Sequence, residues 1–202
     1  TNPAVLTGGR LTIEDAYAYS KFARVALKTN NIDFRTRPSA KEENEFLATH
    51  VAGTPVDVTF AGLERASTVV LVGLDPEDEA PVLFLRLRKA ARKGVKVVSI
   101  ASHLTRGAHK MNAELVAVVP GTEPEAIAGL DLDANSVILV GERLGSVAGG
   151  YSAVAAKAET SGAKLAWVPR RAGDRSAVDT GAVSNLLPGG RPASLAVARA
   201  DV

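Results

Sequence analysis

A spacing repeated inside the chain constrains its fold more than any single motif. Val69-Val70-Leu71-Val72-Gly73 is followed 21 positions later by Gly94, then by the apolar run Val97-Val98-Ser99-Ile100. Val137-Ile138-Leu139-Val140-Gly141 is followed 21 positions later by Gly162, then by Leu165-Ala166-Trp167-Val168. The offset is 68 residues in both places (141 − 73 and 162 − 94), and Lys96 matches Lys164 at the same distance. A short apolar strand, a turn, a helix closed by glycine and a second strand make one βαβ crossover. Strands of nearly unbroken Val, Ile and Leu belong to sheets buried on both faces. Two such units imply an α/β fold: a doubly wound, mainly parallel, Rossmann-like sheet with helices on both sides. A looser third copy runs from AVLTGG through a helix to NNIDF, with Thr29 where the closing glycine would stand.

Helical periodicity fills in the crossovers. Over residues 79–93 the positions Leu83, Phe84, Leu87, Ala90 and Ala91 form one apolar stripe, and Arg86, Lys89, Arg92 and Lys93 face away. Over 147–161 the stripe is Val147, Tyr151, Val154, Ala155 and Ala158, with Ser146 as the expected N-cap. The first helix, about 13–27, has Thr12 as its cap and turns Ala16, Tyr17, Ala23 and Leu27 inward. Between the two repeats, AELVAVVPGTEPEAIAGL reads as a strand, the turn Pro120-Gly121-Thr122 and a short helix. The stretch from Arg170 is richer in Gly, Pro and Arg. The expected division is therefore one Rossmann-like domain over 1–169 and an extended docking or disordered connection over 170–202.

Composition removes several function classes. The charge is +2, from 24 Lys and Arg against 22 Asp and Glu, and aromatic residues are few, so nothing points to nucleic acid. Cysteine is absent, which excludes disulfides and cysteine-held clusters within the chain. No apolar run approaches the ~20 residues that span a bilayer, so no direct membrane insertion is expected. His50, His103 and His109 are too isolated in sequence to read as a metal site. The chain opens TNPAVL without a Met and reads as an internal segment of a cytoplasmic protein.

Open parallel sheets bind ligands at the carboxyl ends of their strands, so the turns there supply the candidate site. After the first strand come Gly8, Gly9 and Arg10. After the second come Gly73, Asp75 and Pro76. Gly121 and Thr122 form a further turn, and Gly141, Arg143 and Ser146 follow the strand Val137-Ile138-Leu139-Val140. None of these turns matches a dinucleotide fingerprint or a P-loop. The helix that opens after Gly73 carries Glu77, Asp78 and Glu79, where a phosphate-binding fold keeps its anion seat. Acids at a helix start also gain from the helix dipole, and no G-x-S-x-G elbow or other catalytic set is present.

The residues Gly8–Pro38 (GGRLTIEDAYAYSKFARVALKTNNIDFRTRP) resemble the molybdopterin oxidoreductase family. Within it they resemble the large iron–sulfur subunits of bacterial NADH-quinone oxidoreductase (respiratory complex I). GLDPEDEAPVLFLRLRKA, PGTEPEAI and WVPRRAGDRSAVDTGAVSNLLPGGRP are similar to the same subunits. In cofactor-binding relatives, G-x-N-P, D-P-R and P-G-T-D turns help hold the guanine-dinucleotide tails of the pterin. Here the first corresponds to Gly73-Leu74-Asp75-Pro76 with Asp75 in place of the amide. The second falls near Ala101-Ser102-His103-Leu104, where D-P-R is gone, and the third is Pro120-Gly121-Thr122-Glu123.

The resemblance implies a cofactor-free scaffold on the peripheral electron-transfer arm. Its partners would be the rest of the large iron–sulfur subunit and neighbouring arm subunits, peripheral to the inner face of the cell membrane. Iron–sulfur clusters are implied for the full subunit, outside this segment. Two other readings stay open: a domain still competent for a molybdopterin guanine dinucleotide or another nucleotide, and a regulatory module taking a small anion at Arg143 and Ser146.

Overall fold

The computed structural model describes residues 2–200. Its contacts divide the chain into two compact units, Val56–Arg170 on one hand and the residues up to Pro55 with those from Arg171 onward on the other. This grouping differs from the expected division into 1–169 and 170–202.

The first unit begins with the parallel pair β1 (Val5–Leu6) and β2 (Ile32–Asp33), joined through α1 (Ile13–Lys21) and a π-helical turn, Phe22–Ala26. This is the looser third copy, on a small sheet of its own. Thr12 caps α1 by accepting from the Asp15 N–H at 3.2 Å, as expected. Ala16 and Ala23 are buried, but Tyr17 is 44% exposed. Leu27 is half-buried, because the π turn shifts the register of the inward face. The left-handed residue that ends the helix is Lys28, not Thr29. Helix α2 (Lys41–His50) then packs Phe46 and Leu47 inward.

The second unit contains α3 (Phe60–Leu63), β3 (Thr68–Val72), α4 (Pro76–Glu79), α5 (Pro81–Arg92), β4 (Lys96–Ala101) and α6 (Arg106–Lys110). It continues through β5 (Glu114–Ala117), α7 (Glu123–Ala128), β6 (Val137–Gly141), α8 (Gly150–Ser161) and β7 (Lys164–Val168). The five strands form one parallel sheet in the order β5-β4-β3-β6-β7, which is the doubly wound arrangement. The 68-residue repeat is realised directly, since Val69 pairs with Val137 and Val72 with Val140 on neighbouring strands.

Along these strands alternate residues face opposite sides. Val69, Leu71, Val97, Val137 and Leu139 pack with Leu83, Phe84, Leu87 and Ala90 of α5 in one core cluster. Val70, Val72, Ile138 and Val140 are buried on the other face, where α8 lies against β6 and β7 and brings Tyr151 and Val154 to 1% and 0% exposure.

Two element boundaries differ from expectation. The helix over 79–93 is split at Ala80, because the residue before Pro81 is forced away from helical backbone and sits at φ −147°. Ser146 is not the cap of α8. It ends a 3₁₀ turn, Glu142–Ser146, and its hydroxyl donates to the Arg143 carbonyl at 2.8 Å. The chain enters α8 through Gly149, whose φ of +78° is the left-handed region that glycine supplies at least cost. Val147 is half-buried as a result of lying ahead of the helix.

The segment from Arg171 is built into the first unit. It carries α9 (Asp174–Asp179), the antiparallel pair β8 (Leu186–Leu187) and β9 (Arg191–Pro192), and α10 (Ala196–Ala200). Ala177, Val178, Ala182, Val183 and Leu186 are all essentially buried. Arg24 donates to the carbonyls of Gly181, Val183 and Leu186 at 2.8, 3.1 and 2.6 Å, and Arg175 donates to the Thr54 carbonyl at 2.6 Å.

Candidate functional site

The order of the sheet reverses between β3 and β6, and at the carboxyl ends of these strands lies a cleft of about 430 Å³. Of the expected site residues, Gly73, Asp75, Pro76, Gly121, Arg143 and Ser146 line it, together with Ser102 and His103 from the end of β4. Thr122 belongs to the same turn as Gly121, and its hydroxyl donates to the Val119 carbonyl at 2.9 Å. Gly8, Gly9 and Arg10 follow β1 in the first unit and are not on the five-stranded sheet.

The glycines at the switch point serve a close approach of two main chains. A Cβ on Gly141 would stand 2.2 Å from the Gly73 carbonyl oxygen, and one on Gly73 would stand 2.5 Å from the Leu144 nitrogen. The turns after β3 and β6 are thus packed backbone on backbone, with Leu144 buried beneath them. Gly9 is likewise filled against, because a Cβ there would overlap the Asp174 carboxylate.

Asp75, Glu77 and Glu79 of the turn are engaged, and Asp78 is exposed. Asp75 caps α4, accepting from the Glu77 N–H at 3.2 Å. Glu79 folds back so that Oε1 accepts from the Asp75 N–H at 2.9 Å and meets the Arg143 guanidinium at 2.7 Å, with its side chain only 4% exposed. Glu77 is held by Lys110 and, at 3.5 Å, by Arg106. The hydrogen bond from Lys110 holds the Glu77 carboxyl below the usual carboxylate range, with a smaller contribution from Arg106. On the opposite wall Glu123 accepts from the Gly121 N–H at 2.7 Å. Two main-chain donors of the kind that bind phosphates are therefore occupied by carboxylates from the helices that follow them.

Sequence reasoning placed Glu79 among acids favoured by a helix dipole, with Arg10 or Arg143 as a cation that could reach across to neutralise them, and missed the bond from the Asp75 N–H. The signal available was the spacing in Asp75-Pro76-Glu77-Asp78-Glu79, which resembles a capping box with its acid one position late. Lys110 and Arg106 were missed as partners. Among the described residues no group of three or more His, Asp or Glu is placed to hold a metal ion.

Comparison with known proteins identifies the family of the chain. The sequence profile of the molybdopterin oxidoreductases matches residues 2–159. The chain belongs to that family. It is also 56% identical, over 98% of its length, to the NADH-quinone oxidoreductase G subunit of Mycobacterium bovis, covering 26% of that protein. The G subunit of the same name from Streptomyces coelicolor is 50% identical over 98% of the chain and is covered to 27%. A nitrate reductase of Shewanella frigidimarina is 28% identical over 63% of the chain, covering 14% of that enzyme. The chain thus spans about a quarter of the length of its G-subunit relatives. The family match ends within α8, whereas similarity to the G subunits covers nearly the whole chain. No described helix is long and apolar enough to cross a membrane.

Proposed function

We propose that this chain is a scaffold domain of the G subunit of an NADH-quinone oxidoreductase, a molybdopterin-binding domain that has lost its cofactor. One observation carries the reading: the buried Glu79 carboxylate lies between the Asp75 N–H and Arg143, at the switch point where this fold would place a ligand phosphate. A second anion there would meet Glu79 and Asp75 at close range, and like charges at ~4 Å repel by about 1–4 kcal/mol near a protein surface.

In this reading the domain supports the peripheral electron-transfer arm. It packs against the rest of the G subunit and neighbouring arm subunits, on the cytoplasmic side of the membrane. The iron–sulfur clusters of the full subunit lie outside this segment, and Gly8, Gly9, Arg10, Gly73, Asp75, Pro76, Gly121, Thr122, Gly141, Arg143 and Ser146 shape turns and bind no cofactor.

The cleft of about 430 Å³ favours a second reading, a domain that still takes a guanine-dinucleotide pterin or another nucleotide. Arg143→Ala in the full-length subunit separates the two. The scaffold reading expects assembled complex to retain NADH:quinone turnover within about twofold of wild type. Loss of turnover in normally assembled complex would overturn it.

A further inference from the structure

We propose that Glu79 is a built-in occupant of a latent phosphate seat, a carboxylate latch that the chain places where an external anion would otherwise bind. This rests on the scaffold reading above and adds a mechanism to it. The seat has two donors from opposite sides of the switch point, the Asp75 N–H on the turn after β3 and the Arg143 guanidinium on the turn after β6. An anion already lies between them, at 2.9 and 2.7 Å, and it is the side chain of Glu79. With that side chain 4% exposed, solvent ions have no access to the buried donor while the latch is in place.

Two of the neighbouring acids do not compete for the seat. Asp75 is committed to the Glu77 N–H, and Glu77 to Lys110 and Arg106. Cutting Glu79 back to Cβ removes one negative charge, frees both donors and opens the space that its carboxylate filled. Arg143 is 53% exposed, so it remains reachable from solvent. Asp75 stays on the cleft wall at 8% exposure, and its carboxylate keeps the released site modest in affinity.

The test is calorimetric titration of the full-length subunit with inorganic phosphate in a chloride buffer. Wild type, Glu79→Ala, Glu79→Gln and the double variant Glu79→Ala/Arg143→Ala are compared. Wild type is expected to give no saturable heat in the millimolar range. Glu79→Ala should bind at least about tenfold more tightly than the wild-type limit, the effect of removing one like charge near the site. Glu79→Gln, which keeps the shape and loses the charge, should move the same way by less, and it carries the test if Glu79→Ala does not fold. The double variant should lose the gain. Folded Glu79 variants no tighter than wild type, or a double variant as tight as Glu79→Ala, would overturn the latch and leave the scaffold reading standing. A wild-type chain that purifies with a stoichiometric nucleotide would overturn both.

Discussion

Glu77 shows how a crowded acidic turn becomes stabilising. Its folded pKa is depressed by Lys110 first and Arg106 second, so protons bind more tightly to the unfolded chain. Its contribution is therefore fully present above the unfolded value of about 4.3 and is lost as pH falls through the lower folded value. Glu77→Gln should be less stable than wild type in urea melts at pH 7, with the gap closing as both approach pH 3. A gap that did not depend on pH would show that the ion pairs are not its origin. Gly141 gives a steric counterpart. Its Cβ-less approach to Gly73 leaves no room for a methyl, so Gly141→Ala should cost roughly 2–3 kcal/mol or more, measured by denaturant unfolding. A cost under half a kcal/mol would mean that the two turns separate easily. At this scale the sequence was partly legible. Asp75 and the glycines could be read from their turn positions. The roles of Glu79 and Lys110 could not, because Arg143 and Glu77, their partners, come from other turns or helices of the fold.

Among the elements, the glycine spacing carried the most information. It recovered β3, β4, β6 and β7 as strands of a parallel sheet, because burial on both faces forces continuous apolar runs, whereas the pairing of β3 with β6 was not read from it. The stripe on α5 also held, with Leu83, Phe84, Leu87 and Ala90 buried. Leu87 is 0% exposed in the core against the sheet, so Leu87→Ala should cost about 2–4 kcal/mol in denaturant melts. A cost near zero would place the stripe on the wrong face. Boundaries were harder to read where local backbone chemistry outweighed periodicity. Pro81 breaks the helix after Glu79, and the 3₁₀ turn with Gly149 delays α8 by three residues (150 − 147). Tyr17 followed the helical stripe and is exposed, since the inward face of α1 runs through Ala16 and Ser20.

At the scale of the whole molecule, the end of the chain was the least legible part. Residues from Arg171 onward have few periodic apolar positions. What orders them is contact with segments more than a hundred residues earlier, through Arg24 and the Thr54 carbonyl. Gly- and Pro-rich composition cannot reveal such partners. The reading proposed for the site is nevertheless local to the five-stranded unit, where Glu79 lies between the Asp75 N–H and Arg143. Molybdenum analysis of the purified full-length subunit, combined with mass spectrometry of its extracted small molecules, tests this most directly. No molybdenum and no guanine-dinucleotide pterin beyond trace are expected, while a stoichiometric amount of either would contradict the cofactor-free reading.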